Sequence, residues 1–349
     1  MAGSVFKREM ALDQQSAVRS QKSENGNRNS NCKFCFLTPV FRMPTSDFRF
    51  PKSRSMSLKI FLFCFLLPFS ANAQSSYRQS IADWDKKRVE DLKSPTGWLN
   101  VAGLFWLTPG INSIGKDSVN SIIVSNADFP GKLGHVEWVG DTLFWITAPG
   151  KVVKSAGKPV NRSIALILGQ SSSYPFSYEH YRWNLIQRQD KVAMRFRDLQ
   201  HPALNKLNSI PRFPVDSNWR IKAKLISVPG KELSITNVLG QTFNQDHAGR
   251  LEFEIGGKKY SLDAIDEGKE ELFIIFGDET NALETYPSGR YIYIPKPRNS
   301  DEVIIDFNKA ENPPCAFTPY ATCPLPPVQN RLPIAIPAGE KEVHGFGVK

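Results

Sequence analysis

The last third of the chain carries the residues whose types could do chemistry. Arg290 and Arg331 present planar guanidinium groups that suit carboxylate or phosphate. Asp278 and Asp306 could orient these arginines or accept hydrogen bonds from sugar hydroxyls, and Tyr286 offers a ring and a hydroxyl. A cleft that gathers these groups would bind a small anionic or glycan ligand. Asn308 and Asn330 complete the ligand-binding set that we expect.

The same residues allow two other interpretations. In a hydrolase, Asp278 or Asp306 would act as general base, and Arg290 would stabilise developing negative charge. In a structural or interaction protein of the cell envelope, they would form buried ion pairs and loop-fixing hydrogen bonds. A concave pocket that holds Asp278, Tyr286, Arg290 and Arg331 together favours binding or catalysis. Fully buried, mutually paired side chains favour the structural role.

We expect no metal and no cofactor. The five histidines lie singly, without a second ligand three or four residues after any of them, and the motifs G-x-S-x-G and H-E-x-x-H are absent. The expected partner is an unknown small-molecule ligand and not a nucleic acid. The oligomeric state and the choice between enzyme and binding protein stay open.

The N-terminal region contains a predicted secretory signal. Residues 59–70 are a short apolar run that follows Lys52 and Arg54, and residues 71–73 read Ala-Asn-Ala, a small-x-small pattern. The run is too short for a hydrocarbon core of about 30 Å. We therefore expect a signal peptide over 56–73, cleavage between Ala73 and Gln74, a periplasmic or secreted product, and no stable membrane span afterwards.

Residues 1–55 precede this signal and are polar, basic and without periodicity. We expect them to be untranslated or disordered, with translation starting at Met56. The apparent basicity of the chain, +10 over 349 residues, comes mostly from this leader. The 276 residues from Gln74 onwards hold 33 basic and 30 acidic side chains. This near-neutral balance, together with export, argues against nucleic-acid binding.

Export also bears on the cysteines. Cys315 and Cys323 are the only two cysteines from Gln74 onwards, and an oxidising compartment favours a disulfide between them. A short loop closed in this way would stabilise the fold by about 2–3 kcal/mol in the loop-entropy model. A metal site or free thiols remain as alternatives.

The periodicity of the exported part predicts a mainly β domain. Apolar residues recur at helical spacing over 76–92, and Pro95 and Gly97 end that pattern. Short runs rich in β-branched and aromatic residues follow, and Gly256-Gly257 predicts a tight hairpin. Without β–α–β alternation, we expect an antiparallel sandwich or barrel over 74–349, either as one unit or as two subdomains that meet near 209–218.

The C-terminal segment is rich in proline. Pro313, Pro314, Pro324, Pro326 and Pro327 fix φ and remove backbone donors, so they are incompatible with regular sheet ladders. We therefore expect a rigid, irregular loop that covers another part of the domain. Such loops on β scaffolds often carry function.

Several motifs resemble those of the DUF1684 family of bacterial and archaeal proteins. They are Gly97–Leu107 (GWLNVAGLFWL), the GDET beginning at Gly277, and the block from Asp306 to Arg331 with NPPC, CPLPPV and QNR. The resemblance extends over roughly Ser76 to Lys341 and implies no established activity. It also implies a glycine after Asn281, where this chain has Ala282, and this difference counts against a tight turn there.

Overall fold

A computed structural model of the protein describes the backbone of residues 58–170 and 174–346 and, within these ranges, the side chains from Gln74 onwards. The upstream segment 1–55 lies outside the described residues. Of the expected signal 56–73, only the helical backbone of 58–73 is described. Within the described part, no helix is long and apolar enough to cross a membrane.

One long helix, α1 (Leu58–Lys93), opens the structure and contains the predicted helical stretch 76–92. It ends where Ser94 and Gly97 form a turn, and the Leu99 amide then donates to the carbonyl of Leu92. A Cβ at position 97 would lie 2.2 Å from the Leu92 carbonyl oxygen. Glycine is therefore required here, because the chain passes directly over the end of the helix.

A β-sandwich follows the helix. Its eleven strands are, in chain order, β1 (Val101–Trp106), β2 (Gly110–Gly115), β3 (Ile122–Ile123), β4 (Gly134–Val139), β5 (Thr142–Thr147), β6 (Lys154–Ser155), β7 (Lys158–Pro159), β8 (Arg162–Ile167), β9 (Phe176–Tyr178), β10 (Tyr181–Arg188) and β11 (Lys191–Asp198). One sheet has the order β1-β11-β10-β9-β6-β7 and the other the order β3-β2-β4-β5-β8. All pairings in the sandwich are antiparallel except β2 with β3.

The two sheets share one apolar core. Trp145 of one sheet lies against Trp183 of the other, with ring centroids 4.8 Å apart. Strand β11 shows how the alternation works, since Met194 and Phe196 enter this core. Successive side chains of a strand point to opposite faces, so Arg195 lies on the outer face of the sandwich.

A connection of residues 199–219 leads to the second β unit. It includes the short helix α2 (Ala203–Lys206) and a 3₁₀ turn, Ser217–Trp219, in which the Asp216 side chain accepts from the Asn218 amide. The 209–218 stretch, at which the sequence predicts that two subdomains meet, lies within this connection.

The second β unit is a nearly closed barrel. Its strands are β12 (Arg220–Ser227), β13 (Glu232–Thr236), β14 (Thr242–Ile255), β15 (Lys258–Asp266), β16 (Glu271–Phe276), β17 (Arg290–Pro295) and β18 (Glu302–Asp306). The sheet order is β17-β16-β15-β14-β12-β18, with β13 paired to β14, and the end strands β17 and β18 come into contact. The predicted hairpin is confirmed: Gly256 and Gly257 have φ of 58° and 76° between Ile255 and Lys258.

The C-terminal segment after β18 has no strand or α-helix in the described residues. It contains three 3₁₀ turns, Phe307–Lys309, Pro314–Ala316 and Val328–Asn330, and two of these have proline at or just before their first residue. Cys315, Ala321 and Cys323 pack on the outer face of the barrel beside Phe273 and Tyr291. The prediction of an antiparallel, mainly β fold with one N-terminal helix and a proline-rich C-terminal loop is confirmed.

Candidate functional site

Asp278 and Arg290 form an ion pair that is fully buried. Arg290 Nη2 lies 2.7 Å from Asp278 Oδ2, and neither side chain is exposed to solvent. The guanidinium group also donates to the carbonyl oxygens of Ile336 and Ala338. Asp278 Oδ1 accepts from the Thr280 hydroxyl and from the Ile336 amide. Burial lowers the pKa of Arg290, and Asp278 opposes this effect. The pair therefore ties strand β17 to the C-terminal segment.

A tight turn follows Asp278, contrary to the expectation from Ala282. The Ala282 amide donates to the Thr285 carbonyl, and the Glu284 amide donates to the Thr280 carbonyl. Ala282 has φ of 63°. The turn thus forms without glycine, and an alanine occupies the left-handed region that a Cβ disfavours.

Ala282→Gly is expected to raise the free energy of unfolding by about 0.5–1 kcal/mol. Glycine relieves the strain of the left-handed conformation, and its greater freedom in the unfolded chain offsets part of that gain. The measurement is chemical unfolding. Ala102→Gly in strand β1, where φ is not positive, is the control and should destabilise. A lower stability for Ala282→Gly would contradict the prediction.

Asp306 and Asn308 lie together at a separate place, where β18 ends. Asp306 Oδ1 accepts from the Asn308 amide at 3.1 Å and from the Tyr77 hydroxyl at 2.8 Å. Asn308 exchanges two hydrogen bonds with the backbone of Asp216. These contacts cap a 3₁₀ turn and fasten helix α1 and the inter-unit connection to the barrel.

Asn330 and Arg331 are neighbours in sequence but have different surroundings. The buried Asn330 amide bonds the backbone of Asp263 and Ile275, which belong to adjacent strands. The exposed Arg331 lines an open surface groove of the barrel together with Lys222 and Lys259.

Tyr286 and the two cysteines lie on the outer side of the barrel. Burial raises the pKa of Tyr286, and the nearby Cys315 and Cys323 sulfurs add to this effect. Both cysteines are buried free thiols in this structure rather than a disulfide. The Cys315 amide donates to Cys323 Sγ at 3.1 Å, so the two residues are in contact. Their pairing remains a prediction.

The residues selected from the sequence therefore do not share one cleft. Asp278 and Arg290 pair with each other, and Asp306 pairs with Asn308 elsewhere. Their polar atoms bond one another and the backbone, which is the arrangement expected for structural residues.

A cavity of about 210 Å³ lies instead where α1, the sandwich and the barrel meet. Helix α1 contributes Arg88, Asp91 and Leu92 to it, and the sandwich contributes Arg188 and Arg195. The turn after the helix contributes Thr96, Gly97 and Trp98. The barrel and the C-terminal segment contribute chiefly Phe273, Tyr291, Tyr293, Glu311, Thr322, Cys323 and Pro324.

The hairpin of β10 and β11 positions the two sandwich arginines. Arg195 pairs in register with Asn184, and Arg188 pairs with Lys191, so the even-numbered residues of β10 and the odd-numbered residues of β11 share one face. This is the outer face of the sandwich, and both arginines are nearly fully buried by what covers it. The Arg195 guanidinium lies over the Trp98 ring, 4.9 Å from its centroid. Arg188 Nε donates to the Thr322 hydroxyl at 3.0 Å.

The opposite side of the cavity is the outer face of the barrel. In β17, Ile292 and Ile294 enter the barrel core, so Tyr291 and Tyr293 point outwards. Tyr293 stacks on Phe273 of β16, with centroids 4.9 Å apart. The Tyr291 hydroxyl donates to the carbonyl of Pro324, which fixes the C-terminal segment at the edge of the cavity.

Helix α1 contributes a charged side chain, Arg88, to the lining of the cavity. Its Nε lies 3.4 Å from Glu311 Oε2 and 3.2 Å from Glu340 Oε1, and its Nη2 donates to the carbonyl of Asn312. Burial raises the pKa of Glu311 to about 7. The charge of Arg88 lowers this pKa, whereas Glu340 and other nearby carboxylates raise it. The pKa of Glu340 is raised by burial as well. Glu311 can therefore exchange a proton near neutral pH.

Glu311→Gln is expected to weaken the pH dependence of stability. A carboxyl group with a higher pKa in the folded state binds more protons when folded, so stability falls as the pH rises from 4.5 towards about 7. The glutamine variant should reduce this fall by up to about 3 kcal/mol. Glu340 contributes a fall of the same sign, so a smaller slope will persist. Unfolding curves between pH 4 and 8, on the order of one per pH unit, measure the slope.

The control for this measurement is Glu254→Gln, which removes an exposed carboxylate of strand β14. It should leave the slope as it is in the parent protein. An unchanged slope in Glu311→Gln would contradict the prediction.

Sequence reasoning missed the cavity residues, although a weak signal was present. Arg195 and Arg197 alternate with the apolar Met194 and Phe196 within a strand, and tyrosines alternate with isoleucines in 291–294. Such alternation predicts one polar face, but it cannot show what covers that face.

One group of potential metal ligands occurs among the described residues. Ligand atoms of Asp128, Glu179 and His180 lie within 4.8 Å of one another. His180 Nε2 is 3.3 Å from Asp128 and 3.6 Å from Asp198, and the Tyr181 hydroxyl donates to Asp128. Because Asp128 and His180 already have Tyr181, Asp198 and each other as partners, we assign no metal to this group.

Comparisons with known proteins give a family match over part of the chain but no activity. Residues 205–341 match the family described as "Protein of unknown function (DUF1684)", so the GWLNVAGLFWL motif lies before the match. An uncharacterized protein of Haloarcula marismortui, solved by NMR, is 29% identical over 39% of this chain and 78% of its own, with a TM-score of 0.34. An FHA domain from a study of phosphothreonine-dependent interactions is 13% identical over 27% and 92%, with a TM-score of 0.19. No curated protein matches.

Proposed function

Since residues 205–341 belong to the DUF1684 family, whose function is unknown, we propose from the cavity alone that this protein binds a small anionic ligand between its sandwich and its barrel. The observation that carries the proposal is the cavity lining, which combines the guanidinium groups of Arg188 and Arg195 with aromatic rings. This site replaces the C-terminal cleft that the sequence suggests, because Asp278 and Arg290 are bonded to each other.

The chemistry of the lining favours a carboxylate or phosphate joined to an apolar body. Arg188 and Arg195 carry planar donor groups of the kind that bind such anions with two parallel hydrogen bonds. Their burial strengthens electrostatic interactions relative to the surface. Phe273, Tyr293 and Trp98 provide flat surfaces for a ring or an alkyl group.

The size of the cavity limits the ligand. The volume of about 210 Å³ lies below the range of about 300–1,000 Å³ that is typical of small-molecule pockets. A single sugar-acid or a substituted phosphate fits this volume, whereas an oligosaccharide does not. The proposal therefore keeps the anionic ligand and restricts any glycan to a single acidic unit.

The test is a thermal-shift screen with inorganic phosphate, phenyl phosphate, benzoate and glucuronate as probes. A ligand of the folded state at about 100 times its dissociation constant adds about 2.7 kcal/mol of stability. For a domain of this size, that gain corresponds to several degrees in Tm. Titration calorimetry then measures the affinity of any probe that raises Tm. If no probe raises it, the proposal is wrong.

Arg195→Met is the informative variant, and Arg162→Met is its matched control. Both arginines lie over an aromatic ring, but Arg162 covers Phe144 on the other sheet of the sandwich, away from the cavity. Loss of a charged hydrogen bond in Arg195→Met should weaken binding by about 10- to 100-fold. Arg162→Met should bind as the parent protein does. Arg188→Lys, which keeps the charge but loses the planar donor group, covers the case in which Arg195→Met fails to fold.

Hydrolysis is the second candidate function, and the protonation of Glu311 favours it. A carboxyl group with a pKa of about 7 inside a cavity suits a general base, a role that the bonded Asp278 and Asp306 fill less well. Small p-nitrophenyl esters and phosphates test this activity. Glu311→Gln should lower kcat by about 10²- to 10⁴-fold and leave KM nearly unchanged. Equal turnover in both proteins would exclude this role.

Export completes the proposal. The apolar run 59–70 and the Ala-Asn-Ala at 71–73 support a cleaved signal, and an oxidising compartment would permit a disulfide between Cys315 and Cys323. Mass measurement of the protein recovered from a periplasmic fraction tests this. A mature N-terminus at Gln74 is expected, and a chain that retains residues 59–73 would contradict it.

A further inference from the structure

The buried cysteines form a pair that differs from two isolated thiols. Cys315 lies in the 3₁₀ turn Pro314–Ala316, and Cys323 follows eight residues later. The Cys315 amide donates to Cys323 Sγ at 3.1 Å, and Cys315 Sγ lies 3.5 Å from the carbonyl of Ala321. Each residue is only 4% exposed. The loop 316–322 therefore brings the two sulfur atoms together without a bond between them.

The two thiols have unequal surroundings. Cys323 lines the cavity, whereas Cys315 is not part of its lining. A hydrogen bond from Cys323 and the charge of Arg195 lower the pKa of Cys315, while burial raises the pKa of Cys323. Cys315 therefore loses its proton more readily than Cys323, and the Cys315 thiolate, when it forms, accepts a hydrogen bond from the Cys323 thiol.

The residues next to Cys323 connect it to both sides of the cavity. Thr322 accepts the hydrogen bond of Arg188 from the sandwich, and Pro324 accepts that of Tyr291 from the barrel. A molecule inside the cavity therefore meets Cys323 before it meets Cys315.

We propose that Cys315 and Cys323 form a redox-active dithiol that reacts with a small disulfide admitted by the cavity. The Cys323 sulfur attacks one sulfur of the disulfide RSSR while its proton passes to the Cys315 thiolate. The S–S bond of RSSR breaks, one RS⁻ leaves, and a mixed disulfide remains on Cys323.

The second step closes the protein disulfide. The departing RS⁻ takes the proton from Cys315, and the Cys315 thiolate then attacks the Cys323 sulfur of the mixed disulfide. The second RS⁻ leaves. The two cysteines are oxidised to a disulfide, and RSSR is reduced to RSH and RS⁻. This reactivity is independent of anion binding, so either proposal can fail without the other.

The test compares two oxidants of different size on the folded protein. Bis(2-hydroxyethyl) disulfide is small enough for a cavity of about 210 Å³, whereas oxidised glutathione is too large. Peptide-level mass spectrometry after acid quenching follows Cys315 and Cys323 separately from Cys32, Cys35 and Cys64. The small disulfide should oxidise the pair at least about tenfold faster, because access depends on the cavity. After unfolding in guanidinium, this preference should disappear.

Two variants define the order of attack. Cys315→Ser should accumulate a stable mixed disulfide on Cys323, and Cys323→Ser should leave Cys315 unmodified. A modified Cys315 in folded Cys323→Ser, or equal rates for both oxidants on the folded parent protein, would overturn the proposal. The comparison of oxidants decides the question even if a serine variant fails to fold.

Discussion

Arg290→Met is expected to lower the free energy of unfolding by about 3–5 kcal/mol. The substitution removes one partner of an ion pair in which both side chains are fully buried, and the Asp278 carboxylate is left without its counter-charge. Two backbone carbonyls, those of Ile336 and Ala338, also lose their donor. Denaturant unfolding followed by circular dichroism measures the change.

The matched control is an exposed pair of the same barrel. Lys224 and Asp301 lie 3.1 Å apart, but their side chains are 60% and 53% exposed, so Asp301→Asn should change stability by less than about 1 kcal/mol. The double variant Asp278→Leu with Arg290→Met should lose less than the sum of the single losses, since it buries no unpaired charge. An Arg290→Met protein of normal stability that no longer binds a ligand would instead make Arg290 a site residue.

Asn330→Ala is expected to cost at least about 3 kcal/mol, because three buried backbone hydrogen bonds lose their partner at about 1–3 kcal/mol each. The Asn330 side chain bonds the amide and carbonyl of Asp263 and the carbonyl of Ile275, at 2.7 to 2.9 Å. Strands β15 and β16 pair only at Ile265–Phe273 and Asp266–Leu272. Extending that register would place Asp263 opposite Ile275. The Asn330 side chain therefore replaces the backbone hydrogen bonds that the two strands would otherwise form where they separate.

The local consequence separates this role from ligand binding. In Asn330→Ala, the amide of Asp263 should exchange with deuterium much faster than in the parent protein, while the amides of the sandwich keep their protection. Asn244→Ala is the control, because that asparagine is exposed and bonds only side chains, of Ser234 and Glu232. It should change stability by less than about 0.5 kcal/mol. A folded Asn330→Ala protein with unchanged Asp263 exchange would contradict the structural role.

Local patterns in the sequence were sufficient to predict most of the elements. The two-residue period of 251–255 and 258–262, together with Gly256-Gly257, predicts the hairpin that is observed. Helical spacing followed by Pro95 and Gly97 predicts the end of α1. The turn at Ala282 was missed, because the preference for glycine at positive φ is outweighed by hydrogen bonds among residues 278–285.

The candidate site could not be predicted in the same way. Asp278, Arg290 and Asn330 have residue types that suit binding, and the structure gives them backbone and ion-pair partners from 12 to 67 positions away. Residue type alone does not distinguish ligand binding from a structural role, because a buried polar group needs the same donors and acceptors as a ligand-binding group.

The sequence by itself determined the β-rich composition of the domain, its hairpins, the end of its helix and the irregular, proline-stiffened C-terminal segment. These features depend on neighbouring residues, since the periods of strands and helices and the fixed φ of proline act locally. Only the tertiary structure decided that Arg188 and Arg195 face Phe273 and Tyr293 across a cavity, with Cys323 beside them. The two arginines and the two aromatic residues each lie on the outer face of their own β unit, and the packing of two units distant in sequence determines what covers such a face.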